Sequence, residues 1–334
     1  MNPLSAVYGR AATLRRSWYA KRPHAQRRLD RPVISVGNLA VGGSGKTPVV
    51  ASIAKLLLEN GHRPAILSRG YARRRDSDGV VVVSDGVRIV APVEASGDES
   101  QMLARALSGV PVLVCADRYL AGRLAETHFG ATVHLLDDGF QHVQLARSID
   151  LLIVAPGDLV DRVLPSGRLR EPIDAARAAD AVLVPGSKDE AARVSDALGA
   201  RAVFQLVNRY DAVKALAPNE RTPHEMRAVA VAGIAKPERF FAAAREQGFD
   251  VAQEMAFPDH HWFTSTDLES IARRAASANA NLVITTEKDA MRVGARPGWY
   301  ALPMHVAIEP AAAFVDWLMT RVPTPPAAGR VRED

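Results

Sequence analysis

The stretch Ala40-Val-Gly-Gly-Ser-Gly-Lys-Thr47 decides the fold: it stands between the apolar run Pro32-Val-Ile-Ser-Val36 and a helical pattern beginning at Pro48. It follows the Walker A pattern with Ala in place of the first Gly. Gly42, Gly43 and Gly45 let the backbone turn its N–H groups inward around phosphate oxygens, with Ser44 between them, and the start of the following helix adds the positive end of its dipole. In such a loop Lys46 reaches the β- and γ-phosphates and Thr47 ligates Mg²⁺. Pro48 removes only an N–H that has no partner in the first helical turn.

Working outward from the loop, short apolar runs alternate with helical stretches. Pro48 to Asn60 reads as a helix closed by Gly61, and Pro64-Ala-Ile-Leu-Ser68 as the next strand. Val80–Val83, Val110–Cys115, Val133–Leu136, Leu151–Val154 and Ala181–Val184 continue the series. Near-continuous runs of this kind, separated by helices, belong to a parallel sheet covered on both faces. The period falters between about 203 and 226 and restarts at Ala228-Val-Ala-Val-Ala-Gly233. The helix candidate Pro237–Gln247, the strand Leu282-Val-Ile-Thr285 and the run Met304-His-Val-Ala-Ile308 follow. The expected fold is therefore α/β, a P-loop NTPase-type parallel sheet sandwiched by helices, with a second, smaller α/β domain joined by an extended linker. The expected boundaries are a basic arm at 1–31, the first domain at 32–203, the linker at 204–226, the second domain at 227–310, and a closing helix with a frayed tail at 311–334. The length of 334 residues agrees with two domains at about 150 residues each.

Charge sharpens this division. The chain carries 42 Lys+Arg against 37 Asp+Glu, a net of +5. Residues 1–31 hold eight of the basic groups and one acid, Asp30, so the arm is +7 and the remaining 34 basic and 36 acidic groups leave the body at −2. Leu4, Val7, Tyr8, Ala11, Leu14 and Trp18 follow helical spacing in the arm, with Arg10 and Arg16 off that face and Arg15 within it. Such a helix either packs on the body or lies at an anionic membrane surface, and both can hold together. A near-neutral body gives no footprint for nucleic acid. The single cysteine, Cys115, excludes an internal disulfide and a thiolate zinc site and reads as a small buried hydrophobe. No run reaches the roughly 18 apolar residues of a membrane span, and residues 1–30 lack the apolar core of a secretory signal.

Phosphoryl transfer needs metal ligands near the phosphates and a group to take the nucleophile's proton. Val133-His-Leu-Leu-Asp-Asp138 is an apolar strand ending in two carboxylates, the Walker B arrangement, and Asp98 and Glu99 precede a helix candidate starting near Gln101. These features leave open a small-molecule kinase, a GTPase and a non-enzymatic nucleotide-binding membrane adaptor. Two markers are missing. Dimeric ATPases of the deviant-Walker type carry a lysine three residues before Ser44, where this chain has Val41. The nearest candidate for the guanine motif Asn/Thr-Lys-x-Asp is Thr286-Glu-Lys-Asp289, in which Lys and Asp are adjacent.

Eight blocks occur in order: Val36-Gly-Asn-Leu-Ala-Val-Gly-Gly-Ser-Gly-Lys-Thr-Pro48, Ser68-Arg-Gly-Tyr71, Gly97-Asp-Glu99, Ala116-Asp-Arg118, Leu136-Asp-Asp-Gly-Phe-Gln-His142, Gly167-Arg-Leu-Arg-Glu-Pro172, Phe257-Pro-Asp-His260 and Thr285-Thr-Glu-Lys-Asp-Ala290. Together they resemble the tetraacyldisaccharide 4'-kinase family, the lipid A 4'-kinases, from the arm to about residue 310. The resemblance implies ATP as co-substrate with Mg²⁺, an acylated glucosamine disaccharide 1-phosphate as acceptor at its 4'-hydroxyl, and a peripheral place at the cytoplasmic face of the bacterial inner membrane.

By position, the resemblance further implies Asp98 as general base with His260 as its partner, and Lys46 at the phosphates. Asp259 is placed to orient His260, and His261 is a neighbour that sequence alone cannot separate from it. Thr47, Glu99, Asp137 and Asp138 become candidates for Mg²⁺, directly or through water, and Gln141 for ordering phosphate or metal water. Arg69, Arg118, Arg168 and Arg170 become candidates for the acceptor's phosphate, since Arg suits bidentate phosphate recognition. Glu171 is a candidate for sugar hydroxyls or for pairing with Arg170.

Overall fold

A computed structural model describes residues 3–42, 45–70, 73, 79–200, 202–221 and 226–324. Gly43 and Ser44 of the phosphate loop, and Tyr71 of the Ser68 block, lie outside the described residues. The strands are β1 (Val33–Asn38), β2 (Pro64–Ser68), β3 (Val81–Asp85), β4 (Pro111–Val114), β5 (Val133–Asp137), β6 (Ile149–Ile153), β7 (Ala181–Pro185), β8 (Val203–Tyr210), β9 (Lys214–Ala215), β10 (Arg227–Ala232), β11 (Asp250–Ala256), β12 (Leu282–Thr286), β13 (Trp299–Leu302) and β14 (Met304–Glu309). Among the described residues they make a nine-stranded sheet in the order β14-β8-β7-β6-β1-β5-β2-β4-β3 and a five-stranded sheet in the order β11-β10-β12-β13-β9. The large sheet is parallel from β8 to β4, and its edge strands β14 and β3 run antiparallel to their neighbours. The small sheet is parallel except for β9.

The helices are α1 (Pro3–Ala20), α2 (Lys46–Glu59), α3 (Val93–Ser96), α4 (Asp98–Ala106), α5 (Arg118–Phe129), α6 (Lys188–Leu198), α7 (Pro237–Glu246), α8 (Ser265–Ser277), α9 (Glu287–Val293) and α10 (Ala311–Met319). Strand alternation assigns them to layers. Ile34, Val36, Leu151 and Ile153 join a core with Ile53 and Leu57 of α2, Leu103 of α4, and Phe314 and Leu318 of α10. Their sequence neighbours face the other way: Val33 meets Ala121 and Ala125 of α5, while Leu152 and Val154 meet Val194 and Leu198 of α6. Each such large aliphatic side chain, fully buried, contributes roughly 1.5–3 kcal/mol of transfer free energy. The small sheet repeats the plan, with Phe240 and Phe241 of α7 against Ala228, Ala230 and Leu282, and Ile271 of α8 against Val229, Val231 and Val283.

Two expected boundaries need correction. Residues 204–210, placed at the start of the 204–226 linker, belong to β8, the second strand from one edge of the large sheet, and Met304–Glu309, assigned to the second domain, returns as β14 at that edge. In β8 only Phe204 and Leu206 are buried, so no apolar run marks it. Strand β14 pairs with it in antiparallel register, Ile308 opposite Leu206, so the chain crosses between the sheets twice and α10 closes the first unit.

The arm is helical and packs on the body, with its faces reversed relative to an ordinary surface helix. Ser5 and Gly9 are buried: Ser5 Oγ lies 2.8 Å from Ser166 Oγ, and a Cβ at Gly9 would stand 3.5 Å from Pro172. Leu4, Val7, Tyr8, Leu14 and Trp18 all point outward, with Leu4 66% and Leu14 70% exposed. No described helix is long and apolar enough to cross a membrane.

Candidate active site

Two groups of side chains meet where the carboxyl ends of the strands and the starts of α2 and α4 converge. The first belongs to the large sheet. Gly45 precedes α2 with φ +74°, a left-handed conformation that only glycine adopts without strain. It delivers Lys46, whose Nζ lies 3.1 Å from Asn38 Oδ1 and 3.6 Å from Asp138 Oδ1. Asp138, itself left-handed at φ +54°, receives both terminal nitrogens of Arg170 at 2.9 and 2.8 Å. Arg170 also donates to the carbonyl and side-chain oxygens of Asn38, and Gln141 Nε2 donates to Asn38 O at 3.1 Å. Asn38, which has no role in the expectations drawn from sequence, is thus the hub that fixes Lys46, Arg170 and Gln141. Burial opposes ionisation of Asp138, but the hydrogen bond from Arg170 and the charge of Lys46 hold its carboxyl below the usual range.

Asp137 differs from its neighbour. It is 3% exposed, Ser68 Oγ donates to its Oδ2 at 3.3 Å, and its buried Oδ1 has no hydrogen-bond partner. Burial, reinforced by the charges of Glu99 and Asp138, pushes its carboxyl up to about 7. Gln141 Oε1 is a second buried oxygen without a partner. Among the described residues no three His, Cys, Asp or Glu side chains stand close enough to hold a metal alone. Mg²⁺ ordinarily takes one or two carboxylates together with phosphate oxygens and waters. An orphaned carboxylate oxygen among like charges, on the strand beside the one that feeds Thr47, fits that demand. Thr47 sits half-buried in the first turn of α2.

The second group joins the two sheets. Asp98 opens α4, which packs on α9 of the small sheet, and is 4% exposed. Its Oδ2 is paired with the Arg292 guanidinium, lies 3.4 Å from His260 Nδ1 and 3.8 Å from Lys288 Nζ. Burial would push Asp98 up, but the His260 hydrogen bond and the charges of Arg292 and Lys288 prevail and hold it at about 2. Lys288 also reaches Glu99 at 3.8 Å, Asp259 at 3.1 Å and His260 Nε2 at 3.3 Å. The structure separates the two histidines. His260, at φ +62°, turns to Asp98, whereas His261 stacks on Phe257 and pairs with Asp267 at 3.0 Å. A non-glycine residue held at positive φ beside a buried carboxylate is the kind of local strain that collects at functional sites.

Lys288 and Arg292 escaped the reading of sequence, although Lys288 lies within the Thr285–Ala290 block. Their i, i+4 spacing on one face of α9 is the signal that places both on Asp98. The remaining arginines are spread out. Arg118 is 5% exposed with Nε unpartnered, and burial with the nearby Arg69 charge lowers its pKa. Arg69 is exposed at the end of β2. Arg168 bonds Asp161 at 2.8 Å and lies 3.6 Å from Asp158, while its carbonyl accepts from Val41 N of the phosphate loop at 2.8 Å. Glu171 does not pair with Arg170; its two oxygens are taken by Arg16 of the arm at 2.6 and 2.7 Å.

A family model described as tetraacyldisaccharide-1-P 4'-kinase matches residues 1–323. The chain is 40% identical over 301 residues to a tetraacyldisaccharide 4'-kinase of Koribacter versatilis, covering 88% of each, and 39% identical over 302 residues to that of Desulfotalea psychrophila, covering 87% and 86%. The crystal structure of LpxK from Aquifex aeolicus in complex with ATP matches with a TM-score of 0.80 at 32% identity, over 96% of this chain and 98% of that one. The match of the family model over nearly the whole chain and the identity to relatives covered over most of their length place this protein in the tetraacyldisaccharide-1-P 4'-kinase family.

Proposed function

We propose that this chain transfers the γ-phosphate of ATP to the 4'-hydroxyl of a tetraacylated glucosamine disaccharide 1-phosphate, working as a peripheral protein at the cytoplasmic face of the inner membrane. The observation that carries the reading is the convergence of Arg292, Lys288 and His260 from one sheet on Asp98 of the other, beside the Lys46–Asp138–Arg170 cradle. Gly42, Gly43, Ser44, Gly45 and Lys46 cradle the nucleotide phosphates, with Gln141 ordering them from the Asp138 turn. Thr47 with Asp137, Asp138 and Glu99 would hold Mg²⁺, which supplies charge neutralisation at the transferring phosphoryl group.

Asp98 takes the proton of the 4'-hydroxyl. Its contacts with Arg292, His260 and Lys288 fall on Oδ2, so Oδ1 is the oxygen offered to the acceptor. A carboxylate held at about 2 can serve because the hydroxyl gives up its proton late when the transition state is loose. His260 fixes Oδ2 and, with Lys288, faces the phosphoryl group that Asp98 by itself would repel. Arg118 and Arg69, two neighbouring cations, receive the acceptor's phosphate; Arg168 and Arg170 are the further candidates, with the terminal nitrogens of Arg170 already engaged by Asp138 and Asn38.

The outward apolar stripe of α1, on a +7 arm, supports docking on an anionic bilayer. Val7→Asp combined with Leu14→Asp should abolish co-sedimentation with phosphatidylglycerol vesicles and leave the melting temperature unchanged, and undiminished binding would refute the docking. The test of the function itself is mass spectrometry of the lipid after incubation with ATP and Mg²⁺. The expected product is the bisphosphorylated disaccharide. Nucleotide consumption with no phosphorylated lipid would refute the reading.

A further inference from the structure

Helix α1 grips the body through residues that its hydropathy pattern assigns to solvent. Arg16 is the centre of that grip, with a side chain only 14% exposed. Its guanidinium lies 4.0 Å over the ring of Phe140, Nε and Nη2 form a bidentate pair with Glu171, and Nη2 donates to Phe140 O at 2.9 Å. Arg15 alongside it donates to Gln141 O at 3.1 Å. Phe140 cannot retreat from this contact, because it fills the space a side chain would occupy at Gly37 of β1, where a Cβ would come within 2.5 Å of Phe140 Cβ.

The two segments that Arg16 joins each lead directly into the phosphate cradle. Phe140 and Gln141 follow Asp138 in one tight turn, closed by Gly139 N to Val36 O and His142 N to Gly139 O. Glu171 follows Arg170. On the side toward Lys46, Asp138 and Arg170 are joined by their own bidentate pair; on the side toward the arm, Phe140 and Glu171 are joined by Arg16. Two parallel clamps over one pair of segments fix both their separation and their twist. A cation serving only to attract lipid headgroups would sit among the exposed arginines of the arm rather than spend its donors inward on a buried carboxylate.

We infer that Arg16 is a positioning residue for the phosphate site: it staples the Asp138–Gln141 turn to the Arg170–Glu171 segment, so that the helix bearing the membrane-facing stripe and the carboxylates of the cradle move as one unit. This rests on the kinase reading for its consequence in turnover, and on the geometry alone for its consequence in local order. It gives the arm a second task that needs no lipid.

The test uses the full chain with Arg16→Lys, which keeps the charge and loses the bidentate, stacked geometry. We expect kcat to fall about ten- to a hundredfold. KM for the disaccharide and partition onto phosphatidylglycerol vesicles should stay within about twofold, and hydrogen exchange at residues 138–142 should rise while β5 stays protected. Glu171→Gln should produce the same pattern, and the double variant should be no worse than either single one, because both remove one clamp. Unchanged kcat with unchanged exchange, additive losses, or a loss confined to vesicle partition would each overturn the inference. If Arg16→Lys loses its cooperative melting, Glu171→Gln alone, which leaves the guanidinium stacked on Phe140, must show the same two changes; wild-type values in both would overturn it equally. Exchange is read without turnover. A wild-type chain that leaves the disaccharide unphosphorylated therefore refutes the kinase reading, and the exchange at 138–142 still decides the staple.

Discussion

Asp98 and Asp137 are both buried carboxylates at the heart of one site, at 4% and 3% exposure, and they sit in opposite electrostatic surroundings. Asp98 is met by an arginine, a lysine and a histidine, and is held at about 2. Asp137 has one hydroxyl donor, an orphaned oxygen and two carboxylate neighbours, and is raised to about 7. Desolvation acts the same way on both, so the difference lies in the partners. A site with cations in excess keeps its carboxylate ionised and favours an incoming anionic phosphoryl group. A site short of cations is built to be completed by one. The protein therefore holds Asp98 charged and leaves Asp137 alone of the four carboxylates short of a cationic partner, as the proposed roles of base and metal ligand require.

The sharpest way to break this comparison is at the base. Asp98→Ala should lower kcat by roughly ten to ten thousandfold with little change in nucleotide affinity, and His260→Ala should follow it within the same range. Turnover near wild type in either variant would show that the cation-rich side is a structural ion-pair network. Lys46→Ala should differ in kind, impairing ATP affinity and turnover together, since its ammonium stands in the cradle between Asn38 and Asp138. Arg292→Ala addresses the other side of the sheet-to-sheet contact: it leaves Asp98 buried with fewer cations and should cost about 3–5 kcal/mol of stability, read by denaturant unfolding. A loss under 1 kcal/mol would mean that the two units are held by the α4–α9 packing alone.

Asp137 gives a test in pH. Its folded carboxyl is raised above the ordinary value of 3.8, so between about pH 4 and 7 the folded state binds more protons than the unfolded state, and this group makes stability fall as pH rises through that window. Removing metal should therefore leave the wild type with a melting temperature that declines from pH 5 to pH 8, at about 2–4 °C for each kcal/mol. Asp137→Asn should flatten the decline and abolish the stabilisation by Mg²⁺ with nucleotide. A variant whose profile and Mg²⁺ response match the wild type would show that Asp137 is not the uncompensated group.

The legibility of the sequence follows the same division. The phosphate loop, the strand ending in Asp137-Asp138 and the parallel sheet could be read because each is a local pattern: an apolar run, then glycines or carboxylates, then a helical period. Strand β8 was missed for the opposite reason, since Asn208 and Arg209 face solvent near the sheet edge and no continuous apolar run remains, and β14, read as a run, was given to the wrong sheet because its partner β8 went unread. Within the site, Asp98 and His260 were legible only through the family's motifs, because nothing local brings residues 162 apart into contact. Asn38, Arg292 and Arg16 were invisible for a related reason. Each acts by closing a contact between segments distant in sequence, and a lone polar residue carries no mark of its partner.

The smallest expected effect is also the control for reading charge. Asp267 is held at about 2, like Asp98, here by the Thr264 hydroxyl and amide and by His261, at the start of α8 where Thr264 and Asp267 form a capping box. The low value has a different meaning at this surface position, where water screens every partner. Its folded pKa lies below the unfolded one, so its stabilisation is present above about pH 4 and is lost as the pH falls through about 2. Asp267→Asn should lower the melting temperature slightly at pH 7, and the gap to the wild type should close toward pH 2. Its turnover should stay within about twofold of wild type, because the substitution breaks a helix cap and the His261 contact but leaves His260 on Asp98. A loss of turnover approaching that of Asp98→Ala would mean that the α8 cap governs the position of His260 through its neighbour. The separation of the two adjacent histidines into one that serves the cleft and one that serves the helix would then fail.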